Sequence, residues 1–68
     1  MPATRLGRRI KRLREARGWS QSELARQAKL SGPAHVSLLE SGARRDPSAS
    51  TLQRLAKALR VPVAALLE

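Results

Sequence analysis

Residues 20–42, SQSELARQAKLSGPAHVSLLESG, read as two short helices separated by a break. The break is LSGP at residues 30–33, where the glycine disfavours a helix interior and the proline suits the first turn of a new helix. Gly42 supplies the left-handed position that commonly follows a helix end. We therefore predict helices over about 20–29 and 33–41, joined by a short turn.

The first of these helices has a strong N-terminal signal. The Ser20 hydroxyl is expected to accept a hydrogen bond from the Glu23 amide while the Glu23 carboxylate reaches back, which makes a capping box. Trp19 and Leu24 flank the cap at the spacing of a hydrophobic staple. The apolar face is narrow and rich in alanine, which lets another helix cross closely; it comprises Leu24, Ala25 and Ala28.

Three further helices are predicted, over about 4–17, 48–60 and 62–67. The first ends before Gly18. Its stripe at helical spacing consists of Leu6, Ile10, Leu13 and Arg17, with Ala16 beside them, and is apolar until its last turn. Ser48 is expected to cap the fourth. With one aromatic residue and few β-branched ones, the composition favours helix over sheet. The expected fold is all-α, a compact five-helix orthogonal bundle.

Charge is the strongest global signal in the chain. Fourteen Lys and Arg residues against five Asp and Glu give a formal net charge of +9. This excess is larger than solubility requires and indicates a polyanionic partner.

The 68 residues fit one domain, 1–68, and its core must provide the stability because there is no cysteine for a disulfide or a thiolate metal site.

The composition argues against membrane and catalytic roles. No apolar run approaches the roughly 20 residues that span a bilayer, and the N-terminus lacks the apolar segment of a signal peptide. We therefore expect a cytoplasmic protein. His35 is the single histidine, and no nucleophile–base pair, glycine-rich phosphate loop or metal-ligand spacing is evident. We expect no enzyme activity, no cofactor and no small-molecule ligand.

The two central helices match the helix-turn-helix arrangement, in which the second helix lies in the major groove of DNA. A groove about 12 Å wide admits one helix with its side chains. By helical phase, Val36 and Leu39 face the core, and the residues left nearest the groove are Pro33, Ala34, His35, Ser37 and Leu38. Only His35 and Ser37 carry hydrogen-bonding side chains, whereas Ala34 and Leu38 suit thymine methyl groups.

The chain resembles the Cro/C1-type (Xre) helix-turn-helix family. The matching elements are Ser20-Gln21 with Leu24-Ala25, then Val36, Leu39-Glu40 and Gly42, then Pro47-Ser48, Thr51-Leu52 and LAKAL at 55–59. The resemblance implies a lambda-repressor-like fold and sequence-specific binding to double-stranded DNA, commonly as a homodimer on a palindromic operator. The expected function is transcriptional regulation, as a repressor.

The resemblance also implies roles for individual residues. Gln21 would contact a phosphate from the N-terminus of its helix. Arg14 and Glu40 would form an ion pair that ties the first helix to the end of the third. Arg44 and Arg45 would contact the DNA backbone. The full expected DNA-binding set is Gln21, Pro33, Ala34, His35, Ser37, Leu38, Ser41, Arg44 and Arg45.

The chain departs from the family pattern at its turn. The Gly32-Pro33 step makes the turn one residue longer than usual, which leaves the first base-facing residue open by one position. The basic loop after the third helix is also one residue longer than the commonest form.

Other functions fit the sequence less well than DNA binding. The basic, amphipathic first helix would suit a membrane surface, but four further apolar stripes favour mutual burial. RNA or single-stranded DNA binding usually needs aromatic stacking platforms, and Trp19 is committed to a staple. The alternative that stays open is a protein-interaction or antitoxin subunit with the same fold, which the apolar Leu38 suggests.

A homodimer is expected because one small module reads too few bases for useful specificity. The candidate dimer contacts are apolar C-terminal residues, which could instead close the core: Val61, Val63, Leu66 and Leu67.

Overall fold

Five α-helices follow one another in the structure, a computed structural model that describes residues 3–67. They are α1 (Arg5–Ala16), α2 (Gln21–Gln27), α3 (Pro33–Ser41), α4 (Ala49–Leu59) and α5 (Val63–Leu67). No strand occurs within this described range, so the all-α prediction is confirmed. The predicted bounds of α3 match the structure. Each of the other four predicted helices extends at most two residues beyond an observed end. No helix between residues 3 and 67 has the length and apolarity to span a bilayer.

Hydroxyl side chains begin three of the helices. Thr4 Oγ1 accepts from the Gly7 amide at 2.9 Å, Ser20 Oγ from the Glu23 amide at 3.0 Å, and Ser48 Oγ from the Thr51 amide at 3.1 Å. Each cap satisfies an amide that has no partner within the helix and stabilises the fold by about 1 kcal/mol. The caps predicted at Ser20 and Ser48 are therefore confirmed.

The second half of the predicted capping box is wrong. The Glu23 carboxylate does not reach back to Ser20, because it accepts from Gln27 at 2.8 Å and from the Arg26 guanidinium. These hydrogen bonds, from Gln27 first and Arg26 second, hold the pKa of Glu23 below its ordinary value. The Glu23 carboxylate therefore binds side chains on the exposed face of α2 and does not accept a hydrogen bond from the Ser20 amide.

The core is built almost wholly from aliphatic side chains. It comprises Ile10, Leu24, Ala25, Ala28, Val36, Leu39, Leu55, Ala56, Leu59 and Leu66. α1 and α2 both pack on α3, while α5 closes against α1 and α4. The alanines let α2 approach its neighbours closely. Ala16 was expected beside the apolar stripe of α1 and is exposed, because the buried side of the helix is centred on Gly7, Ile10 and Arg14.

Four positions that follow helices adopt the left-handed backbone conformation. Gly18 (φ 70°) and Gly42 (φ 87°) were expected to do so from their residue type. Lys29 (φ 57°) after α2 and Arg60 (φ 58°) after α4 adopt it as well, although they carry a Cβ. Two of the chain's bends are therefore made by basic residues.

The backbones of α1 and α3 meet at Gly7. A Cβ placed there would lie 2.8 Å from the carbonyl oxygen of Glu40 and closer still to that of Leu39. Both neighbours are backbone atoms, which cannot rotate away as a side chain would. Glycine at this position therefore fixes how closely α1 lies over the end of α3.

We expect Gly7→Ala to destabilise the fold by about 1–3 kcal/mol, because the clash pushes α1 from α3. The intrinsic helix preference of alanine, which favours the variant by about 1 kcal/mol, acts in the opposite direction. Thermal unfolding followed by circular dichroism measures the net effect.

Gly32→Ala is the matched control. Gly32 has an extended backbone (φ 162°), and no atom lies within 4 Å of an added Cβ. Its stability should change by less than about 0.5 kcal/mol. An unchanged or higher melting temperature for Gly7→Ala would show that the two helices have room to separate.

Candidate nucleic-acid interface

The helix pair α2–α3 is joined by a tight turn at residues 28–32. The Leu30 amide donates to the Ala25 carbonyl at 2.8 Å and the Lys29 amide to the Arg26 carbonyl at 3.2 Å, which ends α2. Pro33 then starts α3, where its missing N–H leaves no intrahelical bond unmade. The turn therefore reverses the chain, and α3 packs across α2.

α3 has one buried side and one open side. Val36, Leu39 and Glu40 are buried against the rest of the chain. The opposite side is exposed and consists of Pro33, Ala34, Ser37, Leu38 and Ser41. Leu38 keeps 40% of its surface exposed, a large fraction for an apolar side chain. A helix with one free face of small side chains has the shape that fits a major groove.

His35 lies at the margin of this open face. It is half-buried and lines a groove with the basic loop that follows α3. The other residues of that groove are Arg44, Arg45, Asp46, Pro47, Ser48 and Thr51. The structure thus brings His35 together with both arginines that the sequence assigned to the DNA backbone.

The basic loop is fastened to the last turn of α3. The Arg44 amide donates to the Leu38 carbonyl at 3.0 Å. Ser41 Oγ donates to the same carbonyl at 3.2 Å and accepts from the Ala43 amide at 3.2 Å. Ser41 therefore serves the end of the helix, while the side chains of Arg44 and Arg45 are exposed.

A buried ion pair holds α1 against the end of α3. Arg14 Nε donates to Glu40 Oε2 at 2.7 Å, and Arg14 Nη2 donates to Glu40 Oε1 at 3.0 Å. The two residues are 9% and 7% exposed. The hydrogen bonds to Glu40 raise the pKa of Arg14 above its ordinary value, although burial acts against the charged form. The Arg14 guanidinium therefore stays charged throughout the physiological range.

Two further groups join this ion pair. Arg14 Nη1 donates to the Trp19 carbonyl oxygen at 2.8 Å, and Gln21 Nε2 donates to Glu40 Oε1 at 3.2 Å. Gln21 is half-buried at the first turn of α2, so its amide is linked to the pair and is not directed solely at solvent. The ion pair connects the end of α1, the start of α2 and the end of α3.

Arg17 has a role that the sequence did not suggest. Its guanidinium donates from Nη2 to the Leu59 carbonyl at 3.1 Å and lies 5.1 Å from the centre of the Trp19 ring. Its hydrogen bond thus connects the end of α1 to the end of α4, and its guanidinium makes a cation–π contact with Trp19. Arg17 lies four residues after Leu13, in helical phase with the apolar residues of α1. This spacing was the signal in the sequence that could have indicated its packing role.

The arginines of α1 form a separate basic surface. Arg5, Arg8, Arg9 and Arg12 line one shallow depression along the helix, away from the buried side. None of the residues around His35 contributes to this depression. The charge of these four arginines therefore lies outside the open face of α3.

A family model described as helix-turn-helix matches residues 10–66. No curated protein sequence is significantly similar to the chain.

Solved structures of regulators are similar to the chain over nearly all of its length. The restriction-modification controller protein C.AhdI from Aeromonas hydrophila is 34% identical, with 91% of each chain covered and a TM-score of 0.83. SinR, the master biofilm regulator from Bacillus subtilis, was solved in complex with DNA and is 35% identical; 93% of this chain and 98% of that chain are covered, with a TM-score of 0.87. PlcR from Bacillus thuringiensis, solved with the peptide PapR7 and DNA, is 36% identical; 97% of this chain and 22% of that chain are covered, with a TM-score of 0.83.

We expect Arg14→Ala to destabilise the fold by about 3–5 kcal/mol, because Glu40 would be left as a buried charge without its partner. The Trp19 carbonyl would lose its donor as well. Urea unfolding followed by tryptophan fluorescence measures the change.

Arg26→Ala is the control for this prediction. Arg26 also pairs with a glutamate, but its side chain is 71% exposed, so the loss should stay below about 1 kcal/mol. Similar losses for the two variants would mean that the Arg14–Glu40 pair has no special role.

Proposed function

The chain belongs to the Cro/C1-type (Xre) helix-turn-helix family and is a DNA-binding transcriptional regulator, and we propose that it acts as a homodimer with α3 of each copy in a major groove. The observation that carries this proposal is the open face of α3, flanked by a basic loop that is hydrogen-bonded to the same helix. We further propose that it acts in the cytoplasm as a repressor, since a protein on an operator obstructs transcription there without needing another partner.

The two arginines of the loop supply sequence-independent affinity. Arg44 and Arg45 are exposed, and Asp46 is the one acidic residue that lines the groove beside them. Contact with phosphates would release condensed counterions, which makes binding strongly dependent on salt. Gln21 would add a phosphate contact at the start of α2, with Glu40 fixing the orientation of its amide.

Few side chains of α3 are placed to form hydrogen bonds with bases. Ser37 is exposed on the open face, and His35 reaches DNA from its margin. Pro33, Ala34 and Leu38 are apolar and suit thymine methyl groups, whereas Ser41 is engaged at the helix end. Specificity would therefore depend on methyl contacts and DNA shape as much as on hydrogen bonds.

The dimer contact is proposed at the end of α5. Leu67 is 57% exposed, and Val61 and Val63 are half-buried beside the core. Leu66, a candidate on sequence grounds, is wrong as a dimer contact because it is fully buried within its own chain. An apolar patch at one end of each copy would place two recognition helices on successive turns of DNA.

We expect replacement of Arg44 and Arg45 by alanine to weaken binding to all duplexes alike. The slope of log affinity against log salt should fall by about 1 for each phosphate that the protein no longer neutralises. Fluorescence anisotropy with random and selected duplexes at several salt concentrations measures both effects.

Two further variants complete this experiment. His35→Ala should change the order of preference among selected duplexes more than the overall affinity. Arg26→Ala removes an exposed charge outside the proposed interface and should leave the slope nearly unchanged. If the parent chain binds no duplex even at low salt, the chain acts instead through protein interaction.

We expect Leu67→Asp to convert the dimer to a monomer and to weaken binding to a two-half-site duplex much more than to a single half-site, because a charge replaces the apolar contact. Sedimentation equilibrium with and without DNA measures the oligomeric state. Leu38→Asp, at the other exposed leucine, should impair DNA binding and preserve the dimer. A parent chain that is monomeric at every concentration, free and on DNA, would contradict the proposal.

A further inference from the structure

A third basic surface lies between the end of α2 and the length of α4. It is a groove of 630 Å³ lined by four cationic side chains, Lys29, Arg54, Lys57 and Arg60, with Ala28 and Ala58 between them. We refer to it as the α2–α4 groove. It shares no residue with the expected DNA-binding set or with the groove around His35.

The cations of the α2–α4 groove have no anionic partner within residues 3–67. The ion pairs of this part of the chain involve Arg14 and Arg26 and none of the four. Arg54 Nη1 donates to the Lys29 carbonyl at 3.0 Å, which holds α4 against the end of α2. A concentration of one charge sign in a concave surface attracts a ligand of the opposite sign.

The backbone at this groove gives an independent argument. Lys29 and Arg60 are the two non-glycine residues with positive φ in the described range, and both line the groove. This conformation is unfavourable for a residue with a Cβ, and the chain uses glycine for it at Gly18 and Gly42. A cation near the C-terminus of a helix interacts favourably with the helix dipole, but it does so from any position in the last turn. The helix dipole therefore does not require these cations at left-handed positions. Two strained positions that both carry a cation into one groove therefore point to a binding role for those side chains.

The character of the ligand follows from charge and shape. A second copy of the chain is a poor match, because it carries the same net charge of +9 and three of its five acidic residues, Glu15, Glu23 and Glu40, are already paired. A DNA duplex would lie across the rim of the groove. The groove is concave, its volume is within the usual 300–1,000 Å³ range of ligand sites, and half-buried Ala58 lies in its wall. It therefore accepts a narrower chain that carries apolar groups.

We propose that the α2–α4 groove binds an acidic peptide segment of a partner protein. Its carboxylates pair with Lys29, Lys57 and Arg60, and a small apolar side chain packs on Ala58. Since the groove and the open face of α3 share no residue, the regulator holds DNA and this partner at the same time.

The test uses the full chain labelled with ¹⁵N and a short peptide of glutamate and leucine, titrated at low salt. Amide shifts are expected at Lys29, Lys57, Ala58 and Arg60 and not along α3, with the parent chain free or already bound to duplex DNA. The same peptide with glutamine in place of glutamate should produce no shifts.

The decisive variant replaces Lys29 and Arg60 by glycine. Glycine prefers the backbone conformation at both positions, so the variant should melt at the same or a higher temperature, and weaker binding cannot be ascribed to unfolding. We expect peptide affinity to fall about tenfold, through the loss of two ion pairs. Replacement of Arg8 and Arg12 by glutamine removes the same charge from α1 and should weaken binding less than about threefold.

Three results would overturn the proposal. Equal losses in the two variants would mean that the peptide responds only to net charge. Shifts confined to α3 would place the acidic ligand on the DNA-binding face. Shifts in the α2–α4 groove on addition of duplex DNA, abolished in the glycine variant, would assign the groove to nucleic acid.

Discussion

The guanidinium of Arg14 is the group on which the geometry of the recognition helix depends. It binds both carboxylate oxygens of Glu40 and the carbonyl of Trp19, while Gln21 donates to the same carboxylate. Three helix ends thus meet at one charged group that is nearly removed from water. Because an ion pair in this setting is favourable only with good geometry, few orientations of α1 and α3 are compatible with it. Gly7 fixes the same contact from the backbone side.

The sequence predicted the helices and most of their ends because these depend on local chemistry. Ser20 and Ser48 cap helices through amides three residues away, and Gly42 ends α3 through its own backbone freedom. The partners of Arg14 could not be derived from spacing, because Glu40 is 26 residues away; the resemblance alone suggested the pair. The left-handed backbone at Lys29 was not predicted either, because lysine does not prefer that conformation.

For the candidate site, helical phase correctly separated the two sides of α3. Val36 and Leu39 are buried, and Leu38 is exposed. Phase could not show that His35 leans towards the loop, because that depends on where the chain goes after Gly42. Composition indicated the charge but not its distribution. Much of it lies on α1 and in the α2–α4 groove, and the spacing of Arg54, Lys57 and Arg60, three residues apart, was the signal for the latter.

The hydrogen bond from the Arg44 amide to the Leu38 carbonyl has a consequence for how binding preferences change over evolution. It fixes the start of the loop to the last turn of α3, so the positions of Arg44 and Arg45 relative to the open face depend on the length of the chain between Gly42 and Arg44. An insertion or deletion in this stretch would therefore move both arginines relative to the helix even if every side chain on the helix stayed the same.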